Sequence, residues 1–270
     1  MPLSSQTQES SYALSTGKQD QVRLTILNEL HNPHTLSKLN IIPGIRILTI
    51  GCGIGLLESE MIRQTTPSGY VLGTDISSEQ ILIAQQHSNS ENLEFRQMDV
   101  LNIDQIPGTF DRIHCRYVLT HLPWEKILKT IALLYSKLAP GGILLLEEIS
   151  TINALFCEPD HLGYDLWKIA VSKQFISQKS DPSPGLKILE YLQKQGYQVF
   201  YSSYQPVLST QREKSILSLG VLSVSQKLLK EHLLSLEEID EMLMCLHELE
   251  QNSTYFPRYN EVSQIVILKP

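Results

Sequence analysis

The stretch ILTIGCGIGLLESE, residues 47–60, carries the strongest structural signal in this chain. Its apolar beginning is typical of a buried strand, and residues 55–65 carry a helical pattern. Between the two stand Gly51, Gly53 and Gly55, spaced two apart. In open α/β sheets ligands bind beyond the carboxyl ends of strands, where the backbone must pass close to them. Because glycine has no Cβ and allows positive φ, the turn predicts a ligand near Gly51 and Gly53. Gly55 is expected at least in part to let the helix pack on the strand.

The chain up to residue 150 alternates short apolar runs with helical patterns. Strands are predicted at 45–50, 70–75, 93–99, 110–116 and 143–149. Helices are predicted at 55–65 and 123–138, and a further helix is predicted to begin after Ser77, which has a capping-box partner at Gln80. Strands that alternate with helices predict a mostly parallel sheet with helices on both faces.

The organisation changes after residue 150. Residues 151–184 look loop-rich, with aromatic residues that look exposed and with the breaker run SDPSPG. The aromatic residues are Phe156, Tyr164, Trp167 and Phe175. Further on, the patterns predict a helix at 186–196, a strand at 197–204, a wholly helical stretch at 211–250 with a capping box of Ser235 and Glu238, and a last strand at 261–270. That strand most simply returns to the first sheet, so we expect a single domain over 1–270.

The composition is that of an ordinary globular protein, with 270 residues, 42% hydrophobic and 19% charged. The net charge of -7 and the lack of a basic block argue against nucleic acid as a partner. The four cysteines form no CxxC pair, so we expect free thiols, no metal site and a reducing compartment. Without a signal-peptide pattern or an apolar run of ~20 residues, we expect a cytoplasmic protein that does not enter a membrane.

The glycine spacing and two carboxylates narrow the choice of ligand. Leu56 stands where a dinucleotide-binding G-x-G-x-x-G turn needs glycine, and the G-K-[ST] of a P-loop is missing. Asp75 ends the second strand, where a carboxylate can accept hydrogen bonds from a ribose diol. Asp99 ends the third strand, where it can accept a hydrogen bond from an adenine amino group. Either aspartate alone is most simply a cap or turn residue, but together with the glycine turn they favour a nucleoside ligand.

Taken in order, the motifs of residues 40–150 resemble those of class I S-adenosylmethionine-dependent methyltransferases. They read ILTIGCGIG, VLGTDIS, FRQMDV, FDRIHCRYVLTHLPW and LAPGGILLLEE. The resemblance implies a doubly wound, seven-stranded, mostly parallel sheet, the Rossmann-like methyltransferase fold, whose last strand is antiparallel and inserted near the end. It also implies S-adenosyl-L-methionine as the cofactor.

The resemblance also implies roles for single residues. Those expected to hold the cofactor are Gly51, Cys52, Gly53 and Gly55 at the methionine moiety and sugar, Asp75 and Ile76 at the ribose and adenine, Asp99 and Val100 at the adenine edge, and Arg116 beside the sulfonium. The N-terminal segment 1–40 resembles one that covers the cofactor, with Tyr12 over the methionine end or packed on the sheet edge. Thr49 departs from the family, which usually has Asp or Glu there to help hold the amino end of the cofactor.

Methyl transfer from a sulfonium is an in-line displacement, so a base is needed only where the nucleophile must lose a proton. Candidates for the base are His121, Glu147, Glu148 and His161, of which we retain His121 and Glu148 as weak candidates. The segments 151–184 and 205–255 are expected to form a helical lid over a small-molecule substrate, apolar or aromatic, that is methylated on oxygen or nitrogen. Two alternatives stay open, which are a non-catalytic S-adenosylmethionine-binding protein and an NAD(P)-dependent oxidoreductase.

Overall fold

The computed structural model describes residues 17–86 and 90–270, so Tyr12 lies outside the described residues. The helices are α1 Lys18–Leu39, α2 Leu56–Thr65, α3 Ser78–Gln86, α4 Trp124–Lys137, α5 Leu162–Gln178, α6 Pro184–Lys194, α7 Gln211–Lys230 and α8 Leu236–Gln251. The strands are β1 Arg46–Ile50, β2 Tyr70–Asp75, β3 Leu93–Gln97, β4 Phe110–Arg116, β5 Leu138–Ile149, β6 Cys157–Glu158, β7 Gln198–Tyr204, β8 Phe256–Pro257 and β9 Val262–Leu268.

Seven strands form one sheet in the order β3-β2-β1-β4-β5-β9-β7. The pairs from β3 to β5 are parallel, whereas β9 runs antiparallel to both β5 and β7. The predicted seven-stranded, mostly parallel sheet with an inserted antiparallel last strand is therefore confirmed. β6 and β8 pair separately in a small antiparallel ribbon.

Apolar side chains cover both faces of the sheet because successive residues of a buried strand point to opposite sides. Leu48 and Ile50 of β1 pack towards α4 and α6, whereas Ile47 packs towards α2 and α3. Thr49, two residues after Ile47, faces the same side of the sheet, towards α2. No helix in the two described ranges is both long and apolar enough to cross a membrane.

A third apolar cluster lies above the carboxyl ends of the strands and joins α5, α7 and α8 with part of α1. The prediction of a loop-rich segment at 151–184 was wrong, because α5 takes up half of it. Its aromatic side chains also do not look outward. Tyr164, Trp167 and Phe175 are buried, and only Phe156 is exposed, at 45%.

The predicted helical stretch 211–250 consists of two helices, and the second begins at the predicted capping box. α7 ends where His232 adopts a positive φ of 54°, and α8 begins after Ser235. The predicted capping box is present, since Ser235 accepts from the Glu238 N–H and Glu238 accepts from the Ser235 N–H. The break lets the two helices pack against each other in the cluster above the sheet.

Candidate functional site

A cavity of about 550 Å³ lies at the carboxyl ends of β1, β2 and β4. The last residues of these three strands, Ile50, Asp75 and Arg116, line its floor. Its roof comes from one face each of α1, α5 and α7, together with Tyr259 and Asn260 ahead of β9. This is the edge at which an open parallel sheet binds ligands.

The three glycines of the turn after β1 all have positive φ, but they face different surroundings. A Cβ on Gly53 would meet nothing closer than Leu24 Cδ1 at 4.0 Å, so it would project into open space at the cavity. A Cβ on Gly51 would lie 2.3 Å from Val118 Cγ2, so packing within the protein requires that glycine. A Cβ on Gly55 would lie 2.6 Å from the Phe95 ring, and Gly55 does not line the cavity. Only Gly53 thus leaves room for a ligand directly above its backbone.

Asp75 is buried at the end of β2 and lines the cavity. Its Oδ2 accepts the Gly53 N–H at 3.0 Å, and its Oδ1 accepts the Ser77 N–H at 2.9 Å. Burial raises the pKa of Asp75, and these two N–H donors act against that shift. Each carboxylate oxygen can accept more than one hydrogen bond, so both retain capacity for a ligand hydroxyl.

The residues after β2 and β3 complete one end of the cavity, where Ile76, Asp99 and Val100 line the wall. Asp99 Oδ1 accepts the Leu101 N–H at 2.9 Å and so caps the short helical turn that follows. The capping role considered from the sequence is therefore real, but it uses one oxygen of the two.

Arg116 is fixed at the end of β4 by hydrogen bonds to α1. Its Nη1 donates to Thr35 Oγ1 at 2.9 Å, and its Nη2 donates to Asn28 Oδ1 and Asn32 Oδ1 at 3.0 and 3.1 Å. Its guanidinium lies 4.0 Å from Glu147 Oε2. These contacts join α1 to the sheet beneath the cavity.

Glu147 is part of the framework rather than of the cavity surface. It accepts hydrogen bonds from Thr35 and Gln264 and pairs with His114 Nε2 at 2.8 Å. Although burial opposes ionisation, His114, Arg116 and Thr35 hold the pKa of Glu147 at about 2, below its usual range. Its lone pairs are thereby taken up within the protein.

Glu148 points to the opposite face of the sheet, as the alternation of β5 requires. Its carboxylate accepts the N–H groups of Val118, Leu119 and Thr120 at 2.8–3.1 Å. Burial raises its pKa to about 8, against the effect of those three donors. Glu148 does not line the cavity, so it orders the loop after β4 and has no access to a substrate.

Of the histidines considered as bases, His121 lines the cavity and His161 does not. His161 caps α5 by accepting the Gly163 N–H. The Nδ1 atom of His121 lies 3.0 Å from Gln178 Oε1 on α5. Because an amide oxygen only accepts, this contact places the proton on Nδ1, and within the described residues nothing donates to Nε2.

Thr49 and Glu58 form a buried pair at the β1 end of the site. Thr49 Oγ1 donates to Glu58 Oε1 at 2.6 Å, and both residues are 1% exposed. Glu58 lies in the first turn of α2 and lines the cavity. Burial raises its pKa to about 7.

Several buried polar atoms of the cavity residues have no hydrogen-bond partner within the described residues. They are Arg23 Nη2, Glu58 Oε2, Ser177 Oγ, Gln178 Nε2 and Asn260 Oδ1. Unsatisfied buried polar atoms are costly and therefore rare in native proteins. Five such atoms lie around one cavity, where a polar ligand or water can supply the missing partners.

The structure brings eight of the ten predicted cofactor residues to one cavity, leaving out Gly55 and, outside the described residues, Tyr12. Those at the cavity are Gly51, Cys52, Gly53, Asp75, Ile76, Asp99, Val100 and Arg116. Sequence reasoning missed Arg23, Glu58 and Asn260. For Glu58 a signal existed, because it lies on the apolar stripe of α2 with Met61, Ile62 and Thr65. Within the described ranges, no group of three or more His, Cys, Asp or Glu side chains could hold a metal ion.

Comparison with known proteins agrees with this geometry. Residues 47–142 match a family model described as a methyltransferase domain. The ubiquinone biosynthesis O-methyltransferase of Xanthomonas campestris is 34% identical over 139 residues, which cover 50% of this chain and 56% of that protein. The chain spans between 24% and 56% of the length of the first curated relatives it matches.

Two solved structures share the fold. The YcgJ protein of Bacillus subtilis superposes with a TM-score of 0.55 at 18% identity, over 88% of this chain and 97% of that one. A mycolic acid cyclopropane synthase solved with S-adenosylhomocysteine gives a TM-score of 0.58 at 20% identity, over 96% of this chain and 90% of that one. Together with the order of the strands, these likenesses show that the chain has the Rossmann-like methyltransferase fold and that residues 47–142 match a methyltransferase domain.

Proposed function

We propose that this chain is an S-adenosylmethionine-dependent methyltransferase that methylates oxygen or nitrogen of a small molecule. The observation that carries the proposal is the pairing of Gly53 with Asp75 at the cavity. The Gly53 N–H is held by the Asp75 carboxylate, and the space above Gly53 is open. A nucleoside with an extended amino-acid tail fits such a turn, since its sugar can reach the carboxylate while its tail passes over the glycine.

The cavity residues fit the cofactor along its length. Asp75 would accept the ribose hydroxyls, and Ile76 would flank the adenine. Asp99 and Val100 would bind the adenine edge. The methionine end would lie beside Gly53 and Glu58.

The half of the cavity under α5 and α7 would hold the acceptor. Trp167, Phe175 and Tyr259 line it, and the Trp167 and Tyr259 rings lie 5.9 Å apart. Ser177 and Gln178 add unpartnered polar atoms to this apolar wall. A flat, largely apolar molecule with one or two polar groups suits this combination, and the total volume of about 550 Å³ is that of a small-molecule site.

The bound cofactor would supply an activated methyl group and its leaving group, so the protein needs mainly to align the acceptor and exclude water. For an acceptor hydroxyl, the free Nε2 of His121 is the group that could take the proton. Burial lowers the pKa of His121, and the charges of Arg23 and Lys227 lower it further. The imidazole would therefore stay neutral and able to accept a proton near neutral pH.

Calorimetry of the purified chain with S-adenosylhomocysteine and with NAD(H) tests the cofactor, and a labelled-methyl screen against metabolite extracts tests the transfer. We expect S-adenosylhomocysteine to bind and NAD(H) not to bind. We also expect labelling of a small molecule, and this labelling should be lost when Asp75 is replaced. Binding of NAD(H) in its place would overturn the proposal. Binding of S-adenosylhomocysteine without transfer to any extract would favour the non-catalytic alternative.

A further inference from the structure

Thr49 stands where the family resemblance predicts Asp or Glu. Its side chain lies on the α2 side of the sheet and is buried. The Thr49 hydroxyl donates to Glu58 Oε1 at 2.6 Å. A carboxylate is therefore present within one hydrogen bond of the position that lacks it, but it comes from α2 instead of β1.

Glu58 uses only part of its capacity within the described residues. Oε1 accepts from Thr49, whereas Oε2 is buried and has no partner there. Glu58 nevertheless lines the cavity, next to the turn that contains Gly53. A buried carboxylate oxygen without a donor is costly, so a ligand that donates to Oε2 would stabilise this arrangement.

The charged groups around Glu58 do not supply a donor to Oε2 within the described residues. The charged groups that bear on it are Arg116 of β4 and Asp75 of β2, and the thiol of Cys52 is a further titratable neighbour. Asp75 repels a second negative charge. Arg116 attracts it, but both terminal nitrogens of Arg116 are directed to Thr35, Asn28 and Asn32 on α1.

We propose that Glu58 replaces the missing acid of β1 and binds the α-ammonium group at the methionine end of S-adenosylmethionine. The proposal rests on the proposed function and assigns the amino-acid end of the same site. Thr49 then acts as a positioning residue that orients the Glu58 carboxylate through its hydroxyl.

Three ligands separate this role from a general effect on the site, namely S-adenosylhomocysteine, its deaminated analogue and 5′-methylthioadenosine. Glu58→Gln retains an oxygen for the Thr49 hydroxyl but removes the charge. We expect it to weaken S-adenosylhomocysteine about ten- to a hundredfold and to leave the other two ligands within about twofold. Glu125→Gln, which changes an exposed carboxylate in the first turn of α4, is the matched control and should change none of them.

An exchange variant provides the second test. Thr49→Glu combined with Glu58→Thr keeps both side chains and moves the carboxylate to β1, and it should recover most of the S-adenosylhomocysteine affinity lost in Glu58→Gln. Equal weakening of all three ligands by Glu58→Gln, or no weakening, would overturn the assignment of Glu58 alone. Failure of the unmodified protein to bind any of the three ligands would overturn the proposed function, and the assignment with it.

Discussion

Replacing Asp75 with alanine should weaken S-adenosylhomocysteine binding more than any other single change at the adenosine end. The carboxylate is held in place by the N–H groups of Gly53 and Ser77 at 3.0 and 2.9 Å, so it faces the cavity without a conformational cost on binding. Each charge-assisted hydrogen bond to a ribose hydroxyl contributes about 1.5–3 kcal/mol. Because water can take the place of the lost carboxylate, we expect a loss of about ten- to a hundredfold in affinity.

Asp75→Ala also removes the acceptor for the Gly53 N–H, so affinity alone does not separate ribose binding from damage to the turn. A double-mutant cycle with 2′-deoxy-S-adenosylhomocysteine does so. In the unmodified protein the missing hydroxyl should cost about tenfold. In Asp75→Ala the missing hydroxyl should cause almost no further loss of affinity. Equal costs of the missing hydroxyl in both proteins, with both folded by circular dichroism, would refute the ribose role of Asp75.

Further predictions concern the glycine turn, the pH dependence and the lid. Gly53→Val should abolish binding of S-adenosylhomocysteine in calorimetry because its methyl groups would enter the open space at the cavity, whereas Gly53→Ala, which shares the strain of φ +54°, should retain more. Affinity for S-adenosylhomocysteine should fall as the pH drops below about 7, by up to about tenfold per pH unit, because the ligand ammonium needs ionised Glu58. Glu58→Gln should flatten this pH dependence. An unchanged pH dependence in that variant would show that Glu58 is not its cause. Hydrogen exchange in 151–184 should slow most when S-adenosylhomocysteine and a substrate from the screen bind together, and strong protection without ligand would indicate a fixed wall.

The sheet and the glycine turn could be predicted because their signals are local. Strands β1, β2 and β5 contain apolar runs, Asp75 is the last residue of β2, and Asp99 lies two residues beyond the end of β3. Position at the carboxyl end of a parallel strand is enough to bring such residues to one edge. The last strand was predicted from its apolar run, and its antiparallel insertion from the family resemblance.

Helix α5 was missed because its boundaries lack the usual signals. His161 caps its first turn in place of Ser, Thr, Asp or Asn, and Lys179 takes the left-handed conformation after its last turn, where glycine is usual. The break between α7 and α8 likewise lacks the usual glycine, since His232 provides the positive φ there. Only the capping box at Ser235 marked it.

Contacts between distant segments account for the remaining errors at the site. Glu148 was a reasonable base until the loop after β4 was found to donate three N–H groups to it. The missing acid at Thr49 was evident in the sequence, but its neighbour Glu58 was not singled out. That pairing depends on which face of α2 meets β1, and the charge on an apolar stripe was its only local sign.

A crystal structure of this chain with S-adenosylhomocysteine bound tests the assignment of the cavity most directly. We expect the ligand in the cavity above Gly53, with both ribose hydroxyls within hydrogen-bond distance of Asp75 and the α-ammonium nitrogen within hydrogen-bond distance of Glu58. A ligand bound elsewhere, or bound here with its ribose away from Asp75, would contradict it.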